Sequence, residues 1–196
     1  MVGTLYITGD PAADALLNTD GFALLVGMLL DQQVPMEWAF HGPASLKARL
    51  GGLDARELAA MTPDEVVAVF CAKPALHRYP AVMGRRTHDL AVHVVEHYGG
   101  DATNIWGDVG SGDELFTRVR ALPGYGQEKA QIFVAILAKR MSVAPPGWQE
   151  VAGVFADDEP RSVADIDSPA TLANVRQWKQ AMRAARRDKQ GRPVTA

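Results

Sequence analysis

The residues of this chain best suited to chemistry fall into two short stretches. Residues 28–37, MLLDQQVPME, set the carboxylates Asp31 and Glu37 on either side of the amides Gln32 and Gln33. Residues 121–130, ALPGYGQEKA, set Gly124 and Gly126 ahead of Glu128 and Lys129. A carboxylate can take a proton from water or stabilise a nearby cation, and a lysine amine can attack an electrophilic carbon. Amides both donate and accept, so paired glutamines can replace hydrogen bonds that another molecule has lost. One more carboxylate, Glu150, follows Glu128 by twenty-two residues, beyond MSVAPPGWQ, a stretch without aspartate. Asp31 reads equally as the last residue of a helix, Glu37 as a helix N-terminal charge, and Glu150 as a solvated side chain after Trp148.

The glycine pair carries a different kind of chemistry. Pro123 removes a backbone donor and restricts Leu122 before it, so the helix before the turn must stop there. Gly124 and Gly126 admit backbone conformations closed to other residues and allow another backbone to come close. The helix that starts after them leaves several N–H groups unpaired, with the positive end of its dipole behind them. A phosphate placed there accepts those hydrogen bonds, and Lys129 adds charge one turn further on. A plain tight turn plugged by Leu122 and Tyr125 is the alternative.

Helices must hold both stretches in place. Pro11–Leu17 reads as a short helix after an extended start at Thr4–Thr8, and Asp20 or Gly21 opens a helix to Asp31 that is apolar all round. MEWAFHGP and then ASLKARLGG follow, the latter stopping on Gly-Gly; Thr62 caps PDEVVAVFC, with Cys71 as a buried core thiol. A long helix covers about Ala81 to Tyr98. Ser111 or Asp113 opens the helix into the turn, and QEKAQIFVAILAKRM forms its apolar partner. Residues 142–169 read as irregular, and a last helix spans roughly Ala170 to Arg187. Strand signals are nearly absent, so the expected fold is all-α.

Composition narrows the rest. A hydrophobic fraction of 47% and a charged fraction of 22% are those of an ordinary globular protein. The single cysteine excludes an internal disulfide, a four-cysteine zinc site and a cysteine-ligated iron–sulfur cluster, and points to a reducing, cytoplasmic compartment. No secretory signal or membrane span is expected. The net charge is −3, yet residues 172–196 hold seven basic side chains against one acid, a pattern suited to an anionic partner. His93 and His97 lie at i and i+4 without further candidate metal ligands beside them.

Two helices around Leu-Pro-Gly-x-Gly, with Leu-x-x-Gln-Gln about ninety residues upstream, make the chain resemble the helix-hairpin-helix superfamily of DNA glycosylases, which includes endonuclease III and the alkylbase glycosylases. The resemblance covers about residues 20–150. It implies an all-α fold of two helical lobes with a cleft between them, organised here as a single unit: a lobe over 20–120, the hairpin and its second helix over 121–141, and an irregular segment with a basic helix over 142–196. It implies that Leu122, Pro123, Gly124, Tyr125, Gly126 and Lys129 meet duplex DNA, that Gln32 and Gln33 reach toward a lesion, and that Trp38 lines a base pocket. In that family hairpin carbonyls often hold a monovalent cation, here Na+ or K+ on Leu122 and Gly124. Family members that cut abasic sites place a lysine two residues after the second glycine, where this chain has Glu128; Lys129, a step along the helix, should face elsewhere. The family's usual downstream aspartate is missing too, leaving Glu150 and Asp31 as candidate catalytic carboxylates. The implied function is base excision repair by a monofunctional DNA N-glycosylase without an iron–sulfur cluster, near the nucleoid; the alternative is a non-catalytic DNA-binding or damage-sensing protein.

Overall fold

The apolar run Phe22–Leu30 dictates the architecture. In the structure, a computed structural model that describes residues 3–193, this run lies in α2 (Gly21–Leu30), whose side chains from Phe22 on are all buried. A helix with no polar face must be covered on every side, so the other helices assemble around it. Asp20 starts α2 by accepting the N–H of Ala23, and also closes α1 (Pro11–Thr19) before it. The extended start sits on α1, with Leu5 and Ile7 buried and Leu5 N–H donating to the Asn18 amide oxygen.

α3 (Met36–Leu50) packs along α2 and runs unbroken through Pro43, where the sequence suggested two segments. Ala39, Phe40 and Leu46 are buried on either side of Pro43, and that shared packing outweighs the lost backbone hydrogen bond. α4 (Ala55–Ala60) and α5 (Pro63–Cys71) rest on the long α6 (Pro80–Tyr98). Thr62 and Glu65 form a reciprocal capping box at the start of α5. α5 turns Val66 and Phe70 inward; Cys71, a step of about 100° further round, is exposed rather than buried.

α7 (Gly112–Arg120), opened by Ser111, pairs with α8 (Gln127–Arg140) as the hairpin. Residues 142–169 contain α9 (Trp148–Ala152) and two single 3-10 turns, all packed against α8. α10 (Pro169–Ala184) starts from a Ser168 cap and buries only Leu172 and Val175. The chain is all-α: among the described residues there is no strand, only an isolated bridge between Arg187 and Pro193. No single described helix is long and apolar enough to cross a membrane.

Candidate nucleic-acid interface and cleft

The hairpin turn is built from residues with unlike tasks. Tyr125 N–H donates to Leu122 O at 3.0 Å, which closes a four-residue turn with Gly124 at φ +81°. A Cβ on Gly124 would lie 2.4 Å from Leu29 Cδ1, so glycine is required both by conformation and by space. Leu122 and Tyr125 are buried, and the Tyr125 hydroxyl donates to Leu25 O at 2.8 Å. Gly126 differs from Gly124. Its φ of −83° and ψ of 179° suit any residue, and nothing lies within 4 Å of where its Cβ would be. It caps α8 without a side chain, so the first-turn N–H groups of α8 lack an internal acceptor and the residues there, Gly126 and Gln127, are exposed.

The glutamine turn is held from beneath by His77. Its Nδ1 accepts from Tyr79 N–H at 3.0 Å, which leaves the proton on Nε2, and Nε2 donates to Leu30 O at 3.2 Å and Gln32 O at 3.1 Å. Burial holds His77 below the ordinary imidazole range, so it stays neutral in this role. Gln33 takes the left-handed backbone region at φ 58°, an uncommon conformation for a residue with a Cβ. Its side-chain oxygen accepts from the Tyr79 hydroxyl at 3.2 Å. Arg86 Nη1 donates to Gln32 Oε1 at 3.0 Å, while the Arg86 stem passes 3.9 Å from the Cβ position of Gly124. Leu29, buried beneath Gly124, and Arg86, which reaches both Gly124 and Gln32, thus bring together the two motifs that are distant in sequence.

Beside that surface opens a cleft of about 1280 Å³. One wall is the loop from Asp31 to Glu37 with Arg78, Glu128 and Lys129; the other is α10 and the residues after it. Lys129 therefore faces the cleft, contrary to the expectation from its step along the helix. The first turn of α8 abuts the cleft, and the long lysine stem reaches back to the end of α2, where Nζ donates to Met28 O at 2.8 Å and to Leu29 O. The amine thus satisfies two terminal carbonyls of α2, and the exposed face of the turn is left to the hairpin backbone. Burial pulls its pKa down to about 8, with Asp31 opposing the shift.

Four carboxylates line the cleft. Glu37 pairs with Arg176 at 2.7 Å, Glu128 with Lys189 at 3.4 Å, and Asp188 with Arg192 at 2.7 Å. Asp31 alone of the four has neither a salt bridge nor a side-chain hydrogen bond among the described residues, and its charge acts on both Lys129 and Lys179. Glu150 lies elsewhere: it is exposed on α9, which packs on α7 and α8, and it does not line the cleft. Trp38 does not line it either. It is 42% exposed, and its ring stacks against His77 with centroids 6.3 Å apart. Arg78, Arg183 and Arg187 line the cleft, whereas Arg85 is turned to Asp64 at 3.4 Å. A second, shallower depression of about 710 Å³ contains His93, His97, Tyr98 and Arg118. Among the described residues no group of three or more histidines, cysteines and acids is placed to hold a metal.

Nothing in the linear pattern marks His77, a lone histidine whose role depends on Leu30 and Gln32, more than forty residues away. Lys179 and Lys189 are likewise visible only as part of a basic tail until the fold brings them over Met36 and Glu128. No protein-family model matches the chain, and no curated protein matches it.

Proposed function

We propose that the protein binds duplex DNA through the hairpin turn and the glutamine turn together, and excises a damaged base as a monofunctional N-glycosylase. The observation that carries the DNA contact is Gly126. Gly124 is glycine for internal reasons, but Gly126 has none, and its missing side chain keeps a row of backbone donors open to an outside acceptor. A phosphate is the acceptor such a helix start suits. Among the described residues the turn also leaves Gly124 O without a hydrogen bond and Leu122 O with one, so these two carbonyls fit as partial ligands of a Na+ or K+ ion. Such an ion would add positive charge beside the phosphate. Gln32 and Gln33, fixed by Arg86 and Tyr79, supply amides at the same face.

Asp31 is the carboxylate this reading assigns to the chemistry, in preference to Glu150. It takes a proton from a water molecule as that water attacks the anomeric carbon. The base departs with the electron pair of the glycosidic bond, and leaves neutral if it was a cationic alkylated purine. Such a labile base asks least of one carboxylate flanked by two lysines. No lyase step is assigned, because the Lys129 amine is bound to two carbonyls and Glu128 occupies the neighbouring position.

Duplexes carrying a panel of damaged bases, incubated with the protein and then heated in alkali, test the reading. Wild type should give strand breaks at one lesion class or more; Asp31→Asn should slow them by roughly 10²–10⁴-fold, the usual worth of a general base, and Glu150→Gln should not. Tight, salt-dependent binding with no breaks at any lesion would instead favour a non-catalytic damage sensor.

A further inference from the structure

The wall of the cleft formed by the C-terminal residues is packed onto the rest of the molecule only in its first part. The first half of α10 is anchored: Leu172 and Val175 are buried, and the Trp178 ring lies under the Arg161 guanidinium, 5.4 Å from its carbon. From Lys179 to Pro193 no residue is buried. This stretch holds six basic side chains and one acid, and Asp188 is already taken by Arg192. Its polar ties to the opposite wall are Lys179 Nζ to the Met36 sulfur at 3.1 Å and Lys189 to Glu128 at 3.4 Å. Both partners in the Lys189–Glu128 pair are more than a third exposed, so water and salt weaken it.

The position of that pair gives it meaning. Glu128 stands in the first turn of α8, at the helix end whose N–H groups are open. An anion arriving there meets the negative charge of Glu128 and, within reach, the ammonium of Lys189. We infer that residues 179–193 form a releasable cover over the cleft, latched at Glu128 by Lys189, and that a nucleic acid bound at the hairpin opens the latch, its phosphates further along the strand taking Lys189 from Glu128. The exchange replaces one ion pair by another and needs no other energy source. It couples occupation of the hairpin to exposure of Asp31 in the opposite wall of the cleft. The identity of the opener rests on the DNA reading above; the cover itself does not.

Two measurements test the cover and its opener separately. Nitroxide labels on Glu57→Cys and Ala184→Cys, in a Cys71→Ser background, report the distance from body to cover by pulsed electron resonance. At low salt the distribution should be narrow. Half-molar salt, Glu128→Gln or an undamaged duplex should each broaden and lengthen it. A distribution that salt and Glu128→Gln leave unchanged would overturn the cover. In the second measurement, Glu128→Cys and Lys189→Cys are joined by a short bismaleimide, and the control is the same protein with both thiols capped by N-ethylmaleimide. The linked protein should bind duplex DNA at least about tenfold more weakly than the capped control. Equal affinities would overturn the latch while leaving DNA binding in place. If neither form nor wild type binds a duplex while salt still shifts the label distance, the phosphate opener fails together with the DNA reading.

Discussion

Gly126→Ser separates the structural use of the hairpin from its proposed use as a binding site. At Gly126 the backbone is already that of a helix N-cap, with ψ 179°, and the space around it is empty. A serine there fits without strain, and its hydroxyl accepts an N–H from the first turn of α8. Serine exceeds glycine at this position by only a few tenths of a kcal/mol, so the melting temperature should rise by about 1 °C for a chain of this size. Binding should move the other way. The new oxygen occupies donors that the phosphate would use, and its bulk stands where the phosphate would sit. Losing one hydrogen bond to a charged group costs roughly 1.5–3 kcal/mol, a factor of about ten to a hundred in affinity. Fluorescence anisotropy of a labelled duplex across a salt series measures this, and the salt slope should become shallower by about one phosphate contact. A variant that melts slightly higher and binds with wild-type affinity and slope would refute the assignment of these N–H groups to DNA.

Gly124→Ala should act in the opposite sense, because the position is crowded and left-handed. The conformation costs about 1–2 kcal/mol and the contact with Leu29 a further 1–3 kcal/mol, which lowers the melting temperature by roughly 4–20 °C in a calorimeter. Lys129 makes stability depend on pH: burial holds its folded pKa at about 8, below the ordinary lysine value of 10.5, so the unfolded chain binds more protons between these values and stability rises with pH across that window. Lys179 acts in the same direction, so in urea titrations at pH 7.5 and 9.5 the rise should be reduced, not abolished, in Lys129→Met. Borohydride reduction in the presence of abasic DNA should trap no covalent complex, and an adduct mapped to Lys129 by mass spectrometry would show that the amine leaves its two carbonyls.

The helices were legible because their signals are local. Asp20, Thr62 and Ser111 each cap the helix that follows within three residues, and the apolar run from Phe22 announced a helix buried on all sides. The hairpin was legible for the same reason, since Pro123 and Gly124 constrain only their own neighbours. Cys71 shows where local reading ends: an apolar neighbourhood suggested burial, but which residues of a short helix face inward depends on where α6 lies against it. The cleft depends on longer distances throughout. Counting residues downstream of the hairpin pointed to Glu150, and helical rotation pointed Lys129 away. Both inferences lacked the position of α2, whose end meets the start of α8 across about a hundred residues of chain and draws Lys129 onto its carbonyls. The sequence by itself determined the all-α class, the capped starts of α2, α5 and α7, and a turn able to offer backbone donors. Only the tertiary structure decided that Gly124 is crowded by Leu29 while the space beside Gly126 is empty, and that Asp31 is, among the described residues, the cleft carboxylate without an ion pair. The reason is physical: caps and turns are settled by hydrogen bonds within a few residues, whereas a side chain's charge partner and free space belong to whatever distant segment the packed core places beside it.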